Sequence, residues 1–329
     1  MSGFTHSALS TYTVEDKAEL RTKSVYGAVS MPLFTIREGI KYAEKLPYLT
    51  TDPQMQADTG CNAINVSGDG GTFGQITLTV AKVKFEDGWC FTDLEQKFTQ
   101  KFLRKGSKLD ENSVTDLMNT VMDDYAARIA KKMEMAIWQS STSNTFNTNL
   151  KQFNGFIQTL DTLGGYVNQQ TSASTSYTSI TTSNILTIMD NQWLYVPADL
   201  RRSENLVTTM GEDTWSKLII ALKNANNFNW TASSQDAGKM ELIYPGTTMK
   251  IIAVPGMNSD NHSALPAAFK NRIITFEKDN FVVGTDMISD IEDWVTWFEK
   301  KDDKLYTRNK FKMTTGIFFA ERVVSFATV

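Results

Sequence analysis

The chain has 329 residues, 41% hydrophobic and 21% charged, enough for two domains or one elaborate one with a full core. Its net charge of -4 argues against nucleic-acid binding as the main role, and two histidines, His6 and His262, are too few for most metal sites and read as surface residues. The start, MSGFTHSALSTYTVEDK, has neither the basic nor the apolar region of a secretory signal, no stretch approaches the ~20 apolar residues of a membrane helix, and Cys61 and Cys90 read as free thiols, with a disulfide as the alternative.

Residues 33–46 (LFTIREGIKYAEKL) predict a short helix that ends before Pro47. The rest of 1–55 reads as an extended arm. Its apolar residues Val25, Tyr26, Met31, Leu33 and Phe34 find no partner nearby in sequence, which suits a strap over a neighbouring subunit.

Residues 56–92 predict a long two-stranded projection. Gly68, Asp69, Gly70, Gly71, Phe73 and Gly74 form its tip (SGDGGTFG). Ile76, Leu78 and Val80 alternate with Gln75, Thr77 and Thr79, the period of a half-exposed strand. Val83 and Phe85 continue after a phase shift at Ala81 and Lys82, which suits a bulge. Asp87-Gly88 predicts a turn that returns Trp89, Cys90 and Phe91 to the core. The glycine run is not a phosphate loop, because no G-K-[S/T] ends it and a strand follows it.

Asp93–Leu103 predicts a second short helix. Ser113–Gln139 then predicts a long amphipathic one. Ser113 and Asp116 give a start signal. Val114, Leu117, Met118, Val121, Met122, Tyr125, Ile129, Met133, Ala136 and Ile137 recur at spacings of three and four on one face. Asp123, Asp124, Arg128, Lys131 and Lys132 fall mostly on the other. At ~1.5 Å per residue the rod is about 40 Å long. By itself it suits the core helix of an α+β enzyme as well as a structural spine, and its methionines read as packing.

Ser140–Ser183 is polar and reads as surface loop, broken by an apolar island, FNGFIQTL (Phe153–Leu160), that would tuck under the rod. Thr182–Trp193 predicts a helix with a Ser/Thr cap, Leu206–Thr209 a strand, and Thr214–Lys223 a helix with Trp215, Leu218, Ile219 and Leu222 inward. Leu242–Tyr244 and Met249–Val254, around Pro245-Gly246, predict a hairpin. From Arg272 onward the pattern predicts strands at Ile273–Phe276, Phe281–Val283, Trp294–Phe298, Leu305–Phe319 and Arg322–Ala327.

No H-E-x-x-H, C-x-x-C, G-x-S-x-G or Walker A sequence occurs. The pairs Asp123/Asp124 and Asp302/Asp303 are adjacent, and adjacent residues on a helix or strand do not face each other. Asp286, Asp290, Glu292 and Asp293 read as a solvated face, with a hard-cation site as the alternative. Lys300, Lys301, Asp302, Asp303 and Lys304 carry both signs on one turn, as a subunit-contact loop would. No catalytic, cofactor or metal residue is assigned.

The order of parts resembles the major capsid proteins of tailed bacteriophages, the Hong Kong 97-type fold. AARIAKKMEMAIWQ (Ala126–Gln139) looks like the end of that family's spine helix, and FNGFIQTL like the segment after it. Thr182–Leu222 is similar to its axial lobe and YPGTTMKIIAVPGM (Tyr244–Met257) to its strand pair. Arg272–Met287 and Lys304–Ala327 are similar to its last strands.

The resemblance implies an α+β fold with an N-terminal arm (1–55), an extended loop (56–92) and a peripheral domain (93–181 with 288–329) containing the spine helix 113–139. An axial domain (182–287) completes it. It implies a subunit of pentamers and hexamers in an icosahedral head enclosing double-stranded DNA, assembled in a bacterial cytoplasm, without enzyme activity, cofactor or membrane. Partners would be copies of itself, a separate scaffold, a portal protein and decoration proteins. Subunit contacts would come from Gly68, Asp69, Gly70, Gly71, Phe73, Lys82, Lys84, Lys300, Lys301, Asp302 and Asp303. Lys82 and Lys84 carry no mark of the family's covalent crosslink. The alternatives are an encapsulin-like nanocompartment shell, a cytosolic α+β enzyme and, disfavoured by the start of the chain, an adhesin.

Overall fold

The computed structural model describes residues 29–328 except 52, 54, 56–70, 91–124, 126, 146, 175, 226–239, 260–264, 287–294 and 300–303. The helix expected at 93–103, the first part of the rod, His6, His262 and Cys61 lie outside the described residues.

Three sheets organise the chain. The first has the order β1 (Thr35–Arg37), β10 (Phe281–Thr285), β12 (Lys304–Ile317), β11 (Val295–Glu299), with β4 (Ala81–Cys90) along the other side of β12. The second has the order β5 (Val167–Asn168), β13 (Val324–Phe326), β9 (Ile273–Glu277), β6 (Leu206–Met210), β8 (Lys250–Ala253), β7 (Glu241–Ile243). The third is a ribbon of β2 (Ala43–Thr50) and β3 (Thr72–Thr79).

The six-stranded sheet separates two cores, because successive side chains of a strand point to opposite faces. On β9, Ile274 and Phe276 enter one core and Ile273 the other; on β6, Val207 divides in the same way from Leu206 and Met210. The first core also holds the end of the rod, helix α1 (127–139). Its Ile137 and Trp138 are buried, and Met133 and Met135 pack against the cluster. The apolar island lies beneath α1 as expected, forming helix α2 (Phe156–Leu163) with Phe156, Ile157 and Leu160 buried. Rings of Phe34, Trp138, Phe156, Phe276 and Phe281 meet at centroid distances of 3.9–6.4 Å. The apolar side of α1 thus joins the closing strands in one core, with Met313, Ile317 and Val323 in the same cluster.

The second core lies under α4 (Ile185–Leu194) and α5 (Glu212–Asn224), which follow the short α3 (Gln169–Ser172). Buried Gln192 of α4 donates to Thr275 Oγ1 (3.0 Å) and to the Val324 carbonyl (2.9 Å), tying the helix to the sheet.

Several expectations are corrected. Residues 33–46 are not a helix: β1 pairs in parallel with β10, and β2 begins at Ala43. Glu44, Leu46 and Tyr48 alternate with exposed Lys45, Pro47 and Leu49, a period of two. Pro47 is tolerated because β2 has a partner on one side only. Leu33 and Phe34 of the arm are 4% and 7% exposed, buried in the protein's own core and not left for a neighbour. Asp87-Gly88 makes no turn, since β4 runs through it along β12; Gly88 is opposite Tyr306, whose ring would lie 2.7 Å from a Cβ there. The polar stretch 140–183 is not all surface loop. Ser140, Asn144, Gln169 and Gln170 are buried, and Gln169 donates to the Ile188 carbonyl at 3.0 Å. Asn184, not a serine or threonine, stands at the start of α4. Ile219 is 41% exposed, because the buried positions Trp215, Leu218 and Leu222 of α5 leave it off the inward stripe.

Candidate assembly surface

The ribbon follows from alternation. Leu46 and Ile76 face each other across it, and the next rung sets Tyr48 against Gly74. Their face packs on the body: Leu46, Ile76 and Leu78 join a cluster with Ile40, Val80 and Val282, and the Tyr48 ring meets Phe319 at 5.1 Å. The opposite face carries Leu49 and Phe73, a directly paired apolar rung. Phe73 is 82% exposed and Leu49 51%, with Tyr42 (78%) at the other end of β2. A two-stranded ribbon is marginally stable in water without something packed against it. Here the body covers one face, and among the described residues nothing covers the other.

Val80 marks where the chain leaves the ribbon for the first sheet. The phase shift read at Ala81 and Lys82 is this change of sheet. β4 then pairs with β12 over Lys304–Met313, with Lys82 opposite Lys312 and Lys84 opposite Lys310. Lys82 and Lys84 are therefore on one face of β4 and exposed. Lys84 pairs with Glu86 at 2.6 Å, and Glu86 also meets Arg308 at 2.5 Å. The Lys84 hydrogen bond, aided by Arg308, holds the Glu86 carboxyl below the usual carboxylate range. Arg308 lies over the Trp297 ring, 5.1 Å from its centroid, and Trp297 stacks on Tyr306 at 5.6 Å.

Of the residues named from the sequence, Gly71 and Phe73 are together at the far end of the ribbon, and Lys82 and Lys84 at its root. Gly68, Asp69, Gly70, Lys300, Lys301, Asp302 and Asp303 lie outside the described residues. The reading missed Leu49, which had been placed in the arm. It also missed the even-numbered run Lys304, Tyr306, Arg308, Lys310, Lys312 on β12, whose period of two was visible in the sequence.

One charged group behaves unlike the expectation. Asp286 is 3% exposed and ion-paired with Lys312, so it is part of no solvated face. Among the described residues no group of three or more His, Cys, Asp or Glu side chains is placed to hold a metal. Glu134, on α1, is buried. Its carboxylate accepts from Ser30 N–H (3.3 Å) and from Ser30 Oγ, which in turn accepts from Trp138 Nε1 at 2.7 Å. Burial pushes the Glu134 carboxyl up, and the two Ser30 hydrogen bonds oppose that. This is where the arm is clasped to the rod.

No protein-family model matches the sequence, and no curated protein is similar to it in sequence. Solved structures are similar in fold. A chain of the satellite phage P4 procapsid including size determination (Sid) protein aligns over 94% of this chain and 96% of its own length, with TM-score 0.59 and 9% identity. The capsid of Myoviridae phage XM1 aligns over 92% of both chains, with TM-score 0.53 and 11% identity. The virus-like particle from Pyrococcus furiosus aligns over 95% of this chain and 98% of its own, with TM-score 0.52 and 10% identity. The chain has the α+β fold of tailed-phage major capsid proteins, the Hong Kong 97-type fold.

Proposed function

We propose that the protein is a shell subunit that assembles with copies of itself. The observation that carries this is the uncovered Leu49–Phe73 rung on a ribbon built onto a capsid-type body. An apolar rung held out at the end of a ribbon gains free energy only when another surface covers it. Repetition of one such contact around a closed symmetry makes rings and then a shell.

In the finer reading the subunits form pentamers and hexamers of an icosahedral head around double-stranded DNA. Residues 1–55 are the arm and 56–92 the extended loop, with the ribbon's outgoing strand β2 drawn from the arm. Residues 93–181 and 288–329 form the peripheral domain, and 182–287 the axial domain around the ring centres. Lys300, Lys301, Asp302 and Asp303 contribute to contacts between rings. A scaffold, a portal protein and decoration proteins are the remaining partners, and the subunit itself has no catalytic role. Assembly would take place in a bacterial cytoplasm before the subunit becomes part of the virion. Among the described residues no helix is long and apolar enough to cross a membrane. The likeness to the Pyrococcus furiosus particle supports a second reading, a nanocompartment of the same fold.

Electron microscopy of the purified protein tests the proposal. Rings or closed shells are expected, and monomers alone at high protein concentration would refute it. Shells that package an enzyme and not DNA would favour the second reading.

A further inference from the structure

The ribbon meets the body through side chains and not through a ladder. Among the described residues β2 and β3 pair only with each other. At the root, Ile40 N–H donates to the Thr285 carbonyl at 3.1 Å. A shared ladder would dictate the angle between ribbon and first sheet through its register. Here that angle is left to packing.

Two glycines of the first sheet shape that packing. In an antiparallel pair, directly opposed residues share a face. Gly316 stands opposite Val282, which lies in the cluster under the ribbon, and Gly284 stands opposite Thr314, so both glycines are on the ribbon side. Leu78, 1% exposed, fills the space that a Cβ on Gly316 would need, and its Cδ1 is 3.5 Å from the Cβ position of Gly284. Ile40 Cδ1 comes within 2.9 Å of that same position. Leu78 therefore sits in a socket floored by backbone. Four residues farther out, the Tyr48 ring lies across Gly74 and meets Phe319 at 5.1 Å, and the Arg322 guanidinium lies over Phe319 at 6.0 Å. A socket and a prop at two points along one strand fix its direction.

We propose that Leu78 in the Gly284–Gly316 socket and Tyr48 on Phe319 are positioning residues that set the pitch of the ribbon and, through it, the curvature of the assembled shell. The proposal rests on the shell reading and adds to it the device that selects shell size. The open Leu49–Phe73 rung is carried on the ribbon, so the angle at which two subunits meet follows the pitch. One angle repeated at every contact decides whether and at what radius a shell closes. The leverage is large. A Cβ on Gly316 makes Leu78 Cδ2 retreat by about 1 Å to reach ordinary contact. β3 leaves for the first sheet at Val80, about 7 Å from Leu78, so the retreat tilts the ribbon by roughly 8°. At Phe73, about 24 Å from Val80, the displacement grows to about 3 Å.

Cryo-electron microscopy of particles assembled from the full chain, read beside thermal melts, tests the proposal. Gly316→Ala is expected to melt within a few degrees of the wild type and to lose the wild-type shell diameter, giving a new diameter or open sheets. Leu78→Val added to the same chain shortens the side chain to its γ carbons and restores the wild-type diameter, because the Leu78 Cγ is already 3.7 Å from the new Cβ. Wild-type diameter in Gly316→Ala would overturn the proposal and leave the shell reading standing, and a change that Leu78→Val does not reverse would do the same. If Gly316→Ala does not fold, Tyr48→Ala takes its place, since it removes the prop and adds no atom to the socket. Shells of several diameters are then expected, and one wild-type diameter would overturn the proposal. A wild type that forms neither rings nor shells would overturn the shell reading and the proposal with it.

Discussion

Phe73→Ser separates folding from assembly. Phe73 leaves 82% of its surface open in the subunit. An aromatic residue carries ~200 Å², so about 160 Å² is available for a neighbour to cover. At ~25 cal/mol/Å² complete coverage is worth about 4 kcal/mol. A half-covered ring is worth about 2 kcal/mol, a factor of roughly 30 in the association constant. Within the subunit the same change removes almost no buried surface, so its effect on stability stays within about 0.5 kcal/mol. Light scattering against protein concentration measures the assembly threshold, and a thermal melt at a concentration below it measures folding. The expected result is a threshold raised at least tenfold with an unchanged melt. An unchanged threshold, or a melt lowered by several degrees, would refute the reasoning, because the ring would then be covered within its own subunit or not at all.

Glu134→Gln tests the clasp between arm and rod. Burial raises the wild-type carboxyl, so the folded state binds its proton more tightly than the unfolded one. The associated stability is fully present below the ordinary glutamate value of 4.5 and is lost as pH rises through the folded-state pKa. Glutamine keeps an acceptor for Ser30 without the charge, so melting curves should show the wild type losing stability relative to the variant as pH rises. A relative loss on acidification would contradict the assignment. Gly155→Ala places a Cβ 2.8 Å from the carbonyl oxygens of Ala136, Ile137 and Trp138, all backbone that cannot swing aside. Overpacking of this kind predicts a loss of about 1–3 kcal/mol in urea unfolding. Wild-type stability would show that α2 can move off the end of α1.

Elements whose pattern is set by their own neighbours were legible in the sequence. The island at 153–160, the β7–β8 hairpin and the strands from Ile273 onward stand where alternation and turn residues put them, because local sterics and one-sided burial impose the period. The resemblance to a capsid fold came from the order of these parts. The candidate surface was half legible. Phe73, Lys82 and Lys84 were named, but their partners Leu49, Lys312 and Lys310 belong to strands far away in sequence, and register is a tertiary fact. Residues 33–46 show the limit most clearly. Their composition suits a helix, yet Phe34 gains more by joining the aromatic cluster beside Trp138 and Phe156, and Ala43–Thr50 gains a ladder with β3. Contacts from distant segments outweighed a weak local propensity. Gly88 and Asp286 make the same point, one held in a strand by the β4–β12 ladder and the other paired with Lys312 in a buried position. The sequence alone determined which segments alternate, where apolar residues recur and where charge collects. Only the tertiary structure decided which strand lies beside which, and so which rung is left open and which cations share a face, because burial and charge pairing depend on what the rest of the chain brings alongside.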